Sequence, residues 1–140
     1  MRISTIFVTV DLLIFKEIDT ASLILLIKRK KEPFKDFWAL PGGFVDENED
    51  LEVAAKRELQ EETQIKIKKL EQLKAFGKPF RDPRSHVVSI AFTGFVSAET
   101  IATASDDAIE AKWFLIKDLP KLAFDHDEII NFALLKHKLK

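Results

Sequence analysis

Three glutamates, Glu58, Glu61 and Glu62, fall within five consecutive positions of a stretch that reads as helix. At about 100° per residue, Glu58 and Glu62 lie roughly 40° apart, with Glu61 about 60° to the other side of Glu58. The three carboxylates therefore share a sector only about 100° wide. Like charges at helical neighbour spacing repel, so the cluster costs stability unless something cationic sits among them. A hard divalent cation such as Mg²⁺, which takes carboxylate oxygens together with water and substrate phosphates, would resolve that repulsion. On its own, the pair Glu61-Glu62 would read as a solvated acidic face.

The residues around the cluster change that reading. Gly43 is followed by Glu49, then by Arg57-Glu58-Leu59, Glu61-Glu62 and Ile65. This string resembles the Nudix box of the Nudix hydrolases, G-x5-E-x7-R-E-U-x-E-E-x-G-U with U aliphatic, and departs from it at one defined position, where Gln64 replaces the second glycine. That glycine follows the helix end, where a left-handed backbone is common. Gln64 must either adopt that conformation at a cost of about 1 kcal/mol or end the helix another way.

The resemblance implies hydrolysis of a nucleoside diphosphate linked to another moiety, by attack of water on one phosphorus of a pyrophosphate. It implies Mg²⁺ or Mn²⁺ as cofactor. Carried over by position, Glu58, Glu61 and Glu62 are metal ligands or water-orienting bases, and the Gly42 carbonyl is a further ligand. Glu49 and Arg57 form a pair that holds the loop against the helix, and Gly43 lets backbone approach the site closely. Family members that take a base from a late loop or strand point to Glu110, three residues ahead of Trp113, with Asp106 and Asp107 as alternatives. The chemistry agrees, since displacement at phosphorus needs charge neutralisation and in-line positioning.

A second segment bears on the substrate. In Arg81-Asp82-Pro83-Arg84-Ser85-His86, two guanidinium groups and an imidazole flank a proline-bearing turn that enters an apolar run. Arginines bind phosphate bidentately, so Arg81 and Arg84 are candidate substrate ligands, with His86 beside them and Arg29 at the end of an earlier apolar run. The alternative is an ion-pair network among Arg81, Asp82 and Arg84 that stiffens the turn. The string from Arg81 to Phe92 and the later Leu122-Ala123-Phe124-Asp125-His126 look like those of the ADP-ribose pyrophosphatase group. They also look like Nudix domains of NAD-linked regulators. The implied reaction is ADP-ribose to AMP and ribose 5-phosphate. Two alternatives stay open: hydrolysis of dinucleoside polyphosphates or (d)NTPs, and a non-catalytic ADP-ribose sensor. His126 reads either as part of that signature or as a cap of the last helix. Phe37 and Trp38 read as base-stacking or as core residues.

The rest of the chain must position these groups. With 140 residues, 46% apolar and 32% charged, it is long enough for one domain, residues 1–140, and too short for two full ones. Its net charge of −1 gives no sign of nucleic-acid or anionic-membrane binding. The partner implied is a small-molecule nucleotide, and a homodimer is compatible with this reading. The absence of cysteine excludes thiolate sites and fits a reducing cytoplasm. No apolar run approaches the roughly 18 residues of a membrane helix.

Strands are expected in 3–15, 22–30, 65–76, 86–97 and 111–116, from short β-branched and apolar runs. Helices are expected over 51–63, with Asp50 as N-cap, and over 125–139. The order predicts an α/β fold: a Nudix-type α/β/α sandwich with a mixed sheet between helices.

Overall fold

The computed structural model describes residues 1–140. The elements run β1 (Phe7–Ile18), β2 (Ala21–Arg29), β3 (Trp38–Ala39), β4 (Gly42–Phe44), α1 (Leu51–Thr63), β5 (Glu71–Phe76), β6 (Val87–Phe95), β7 (Ala108–Leu115) and α2 (His126–His137). The two short strands β3 and β4 lie where a plain loop was expected. The expected strand over 65–76 begins only at Glu71, because Ile65 and Leu70 are used as core plugs in irregular chain.

β1 is the centre of the molecule. It pairs in parallel with β6 along Phe7–Phe15, and β6 pairs antiparallel with β5. On its other edge β1 meets β2 only through Phe15–Ile18 and Ala21–Ile24. Beyond that point the two strands fork. The free edge of β1, Thr9–Asp11, takes β4, while Ile27–Lys28 of β2 takes β3. β7 covers the opposite edge of β2 from Leu23 to Arg29. The sheet is therefore mixed.

Val10 to Phe15 is buried without a break, as expected for a strand covered on both faces. The strand pleat sends Val10, Leu12 and Ile14 to one side, where Ala54, Ala55 and Leu59 of α1 pack with Leu25 and Phe92. Leu13 and Phe15 point to the other side, against Ile129, Ile130 and Ala133 of α2. Helices thus cover both faces, the predicted α/β/α arrangement. Phe37 and Trp38 belong to this packing: Trp38 meets Phe114 edge-on at 4.8 Å and Phe37 meets Phe34 at 5.5 Å. No helix is long and apolar enough to cross a membrane.

The ends of α1 differ from expectation at one of two points. Asp50 is extended and its carbonyl accepts the Ala54 N–H, but its side chain makes no capping bond. At the C-terminal end Gln64 is left-handed (φ 61°, ψ 17°), as the family pattern demands, and its N–H bonds the Gln60 carbonyl. The segment between β6 and β7 closes this end. Thr103 N–H donates to the Thr63 carbonyl, Ser105 N–H to that of Glu62, and the Ser105 hydroxyl to that of Glu61. Carbonyls left open by the last helical turn are thereby satisfied. Because Gln64 already occupies glycine-favoured geometry, Gln64→Gly should be neutral or stabilising by up to about 1 kcal/mol in chemical denaturation.

Candidate active site

A cleft of about 420 Å³ opens beside the fork between β1 and β2. Its walls come from β1 (Thr9, Asp11), the glycine turn (Gly42, Gly43), α1 (Glu58, Glu62), the Arg81–Arg84 turn, Arg29, and Asp106 and Asp107 of the loop before β7. Phe124 and His126 also line it, as do Lys30, Lys31, Glu32 and Asp46.

The glycine turn is tight for a steric reason. A Cβ on Gly42 would lie 2.1 Å from the Val10 carbonyl oxygen, and one on Gly43 would lie 2.6 Å from the Glu58 carboxylate. Glycine at both positions lets backbone and carboxylate come together on one side of the cleft. Glu62 is 5% exposed and accepts the Gly42 N–H at 2.7 Å. Burial pushes its carboxyl up to about 8, with the negative charge of Glu58 adding to the shift. Burial likewise pushes Glu58 up to about 7, although Arg57 works against the rise.

Arg57 organises the helix end of the site. Its guanidinium holds Glu49 through two bonds of 2.7 and 2.9 Å, reaches Glu58 at 2.9 Å, and donates to the Phe44 carbonyl. Glu49 is held down to about 2, first by those bonds and then by the Asp46 N–H. This is the loop-to-helix pair that the family pattern implies. Glu61 departs from the expected trio. Its carboxylate is 42% exposed, 3.3 Å from Arg57, and lies outside the cleft. The helical offset accounts for the split: Glu58 and Glu62 are one turn apart and face the glycine turn, whereas Glu61 is rotated toward Arg57.

No three carboxylates or imidazoles converge as a ready-made metal centre. The donors that do converge still suit a hard divalent cation. The buried Glu62 and the half-buried Glu58, the latter offset by Arg57, stand against a glycine turn cleared of side chains. A cation there would offset the cost of burying the two charges, to which their mutual repulsion adds.

The basic wall lies opposite. Arg29 and Arg84 stand around the Phe124 ring, at 5.0 and 5.4 Å, and Arg84 also lies 4.9 Å from the Phe44 ring. Arg84 is 38% exposed and bonds Asp82 at 3.0 and 2.7 Å. Arg29 bonds the Pro33 carbonyl, and burial together with the neighbouring Arg84 lowers its affinity for its proton. Two neighbouring guanidinium groups in one cleft, one of them with no carboxylate bonded to it, offer an anion a place to bind.

Three expected site residues are placed differently. Arg81 turns inward: it grips Asp125 at 2.9 and 2.7 Å, donates to the Val87 carbonyl, and is 5% exposed. His86 lies outside the cleft, its ring nitrogen bonded to the Gly77 carbonyl. Glu110 also lies outside. The register of β7 on β2 sets it opposite Lys28, with which it pairs at 3.6 Å. Asp106 and Asp107, its sequence neighbours in the preceding turn, are the late carboxylates that reach the cleft.

Two other cleft groups, Asp11 and Thr9, have no counterpart in the sequence reading. Asp11 and Thr9 sit in an apolar run of β1 and read from sequence as ordinary strand residues. His126 caps nothing: it is 4% exposed, and its Nδ1 accepts the Leu40 N–H at 3.0 Å. Burial lowers its affinity for a proton, which keeps the ring neutral and the acceptor available.

A mixed sheet between two helices, with a glycine turn feeding a glutamate-bearing helix at the mouth of a cleft lined by both carboxylates and arginines, defines a Nudix-type protein. The family model described as NUDIX domain matches residues 6–132, and the chain belongs to that family. An ADP-ribose pyrophosphatase of Methanocaldococcus jannaschii is 49% identical over 114 residues, covering 81% of this chain and 67% of that protein. The ADPR responsive transcriptional repressor NtrR of Acinetobacter baylyi is 36% identical over 139 residues, covering 94% of this chain and 55% of the repressor. The chain thus spans about two thirds and about half the length of these two relatives. Among solved structures, the NUDIX domain of Shewanella oneidensis NrtR complexed with ADP ribose superposes with a TM-score of 0.89 at 33% identity, covering 96% of this chain and 90% of that one.

Proposed function

We propose that this chain hydrolyses ADP-ribose to AMP and ribose 5-phosphate, as a Nudix pyrophosphohydrolase dependent on Mg²⁺ or Mn²⁺. The observation that carries the reading is one cleft that brings the buried Glu62 and half-buried Glu58 together with two arginines, Arg29, which has no carboxylate partner, and Arg84, which is held by Asp82 but still partly exposed. A pyrophosphate needs both. The likeness to an ADP-ribose pyrophosphatase and to an ADP-ribose-bound domain supports the choice of substrate.

In this reading residues 1–140 act as one unit on a small-molecule nucleotide, and the lack of cysteine suits a reducing cytoplasm. Glu58, Glu62 and the Gly42 carbonyl hold the cation, with Glu61 adding charge from the rim. When bound, the cation neutralises negative charge on the pyrophosphate oxygens. Arg29 and Arg84 clamp the phosphates and fix the P–O–P anhydride in line for water, so that one phosphate leaves on each product. Arg57 and Glu49 keep α1 in register with the glycine turn. Asp106, on the cleft wall where Glu110 is not, orients the attacking water and takes its proton on the carboxylate.

The test is incubation with Mg²⁺ or Mn²⁺ and a panel of ADP-ribose, diadenosine polyphosphates and NTPs, with products read by chromatography. ADP-ribose should show the highest kcat/KM, and excess chelator should abolish turnover. Full activity in chelator would end the reading. Tight ADP-ribose binding without cleavage, metal present, would favour the sensor function named for the repressor relative. Arg84→Ala should raise KM for ADP-ribose about tenfold with a smaller change in kcat, because a charge-assisted phosphate bond present before and during reaction is lost. Lost thermal stability with intact kinetics would instead make Arg84 a structural partner of Asp82.

A further inference from the structure

The cleft is built at a fork, and forks leave backbone groups without ladder partners. Leu40 and Pro41 cross the gap between β3, held by β2, and β4, held by β1. Three consecutive residues there are tied by three different elements. The Leu40 N–H donates to His126 at the start of α2, at 3.0 Å. The Pro41 carbonyl accepts the Leu12 N–H of β1, at 2.8 Å. The Gly42 N–H donates to Glu62 of α1, at 2.7 Å. The strap Leu40-Pro41-Gly42 is where all three layers of the sandwich meet.

The His126 contact is specific in direction. Because Nδ1 accepts, the ring proton resides on Nε2, which faces the Asp11 carboxylate at 3.6 Å. The other Asp11 oxygen accepts the Ser89 hydroxyl. Asp11 lies directly against the strap: a Cβ on Gly42 would stand 2.7 Å from its Oδ1. The residue before His126, Asp125, takes both bonds of Arg81 from the substrate-side turn. Asp11 and His126 themselves are nearly out of solvent, 7% and 4% exposed. A buried N–H such as that of Leu40 needs an acceptor, and no strand supplies one.

We propose that His126 is a positioning residue for the metal side of the cleft: by accepting the Leu40 N–H, it sets the depth of the strap and so where the Gly42 carbonyl stands relative to Glu62. The inference rests on the proposed function, in which Gly42 and Glu62 hold the cation. It assigns His126 no contact with substrate. Its effect belongs to metal binding and kcat, and KM for ADP-ribose belongs to the arginine wall.

Two polar variants separate the two ring nitrogens. His126→Asn keeps an acceptor near the Nδ1 position, and His126→Gln keeps a polar group near Nε2 but withdraws the acceptor from Leu40. Three measurements are made: hydrogen exchange of the Leu40 amide in metal-free protein, calorimetric Mn²⁺ binding, and steady-state kinetics with ADP-ribose. In His126→Gln the Leu40 amide should exchange faster, Mn²⁺ should bind about tenfold or more weakly and kcat should fall comparably, as when a supporting partner of a metal ligand is removed. KM should stay within about threefold of wild type, since uniform substrate binding is untouched. His126→Asn should restore all three readouts to within about threefold of wild type. The inference is overturned if His126→Gln keeps wild-type Mn²⁺ affinity and kcat, or if His126→Asn is as impaired as His126→Gln. Wild-type protein that binds no Mn²⁺ would overturn the proposed function with it, whereas an active, Mn²⁺-binding wild type with indifferent variants sinks this inference alone.

Discussion

Glu62→Gln should lower kcat about a hundredfold or more, with KM for ADP-ribose changed by only a few-fold. The substitution is nearly isosteric, and the amide oxygen can still accept the Gly42 N–H that Glu62 now accepts at 2.7 Å. The turn and helix should therefore stay in place. What is lost is a negative charge at a site 5% exposed, where few other groups can replace it. A ligand that serves charge neutralisation acts chiefly in the transition state, so the deficit should appear in kcat. Steady-state kinetics with saturating Mg²⁺ decide the matter. A variant with kcat within a few-fold of wild type would remove Glu62 from the metal site.

The same substitution carries a stability signature. The Glu62 carboxyl is pushed up to about 8 by burial, against an ordinary value near 4.5 in the unfolded chain. Between those values the folded state holds a proton that the unfolded state has released, so metal-free stability must fall as pH rises. The loss at pH 8 relative to pH 5 is on the order of a few kcal/mol, with Glu58 contributing in the same direction over a narrower range. Glu62→Gln should flatten this slope and be the more stable protein at pH 8 without metal. Saturating Mg²⁺ should reverse the wild-type trend, because the cation takes the place of the proton. Melting curves at two pH values, with chelator and with Mg²⁺, report all three effects.

The helix and its box were legible because their signals are local. Helical spacing places Glu58 and Glu62 together, and the position of Gln64 announces a left-handed residue that the fold indeed contains. The central strands were legible as unbroken apolar runs. The fork was not. β3 and β4 have two and three residues, too few for any periodicity, and they exist because β1 and β2 separate. Everything that depends on the fork was hidden with it. Asp11 looks like a polar residue in a strand until β4 is laid against it, and His126 reads either as part of the family signature or as a helix cap until Leu40 needs an acceptor. Glu110 and Arg81 show the converse. Their residue types suit the chemistry, but a one-strand register sets Glu110 on Lys28, and a distant aspartate claims Arg81.

That claim leads to a large expected loss of stability. Arg81→Ala should destabilise the protein by about 3 kcal/mol or more, the cost of leaving a buried ion-pair partner uncompensated. The Arg81 side chain is 5% exposed and that of Asp125 17%, and their two bonds of 2.9 and 2.7 Å are the fork-to-fork geometry that arginine makes best. Without the guanidinium, Asp125 loses both bonds to its side-chain partner at the start of α2, and the Val87 carbonyl loses a donor. Arg81→Lys should recover only part of the loss, because an ammonium cannot span both carboxylate oxygens. Urea denaturation of the metal-free protein measures the effect apart from catalysis. Since Asp125 adjoins His126, weakened anchoring should also reach the strap, so the destabilised variant should bind Mn²⁺ less tightly than wild type. A stable Arg81→Ala with raised KM for ADP-ribose would show instead that the guanidinium leaves Asp125 to meet substrate phosphate.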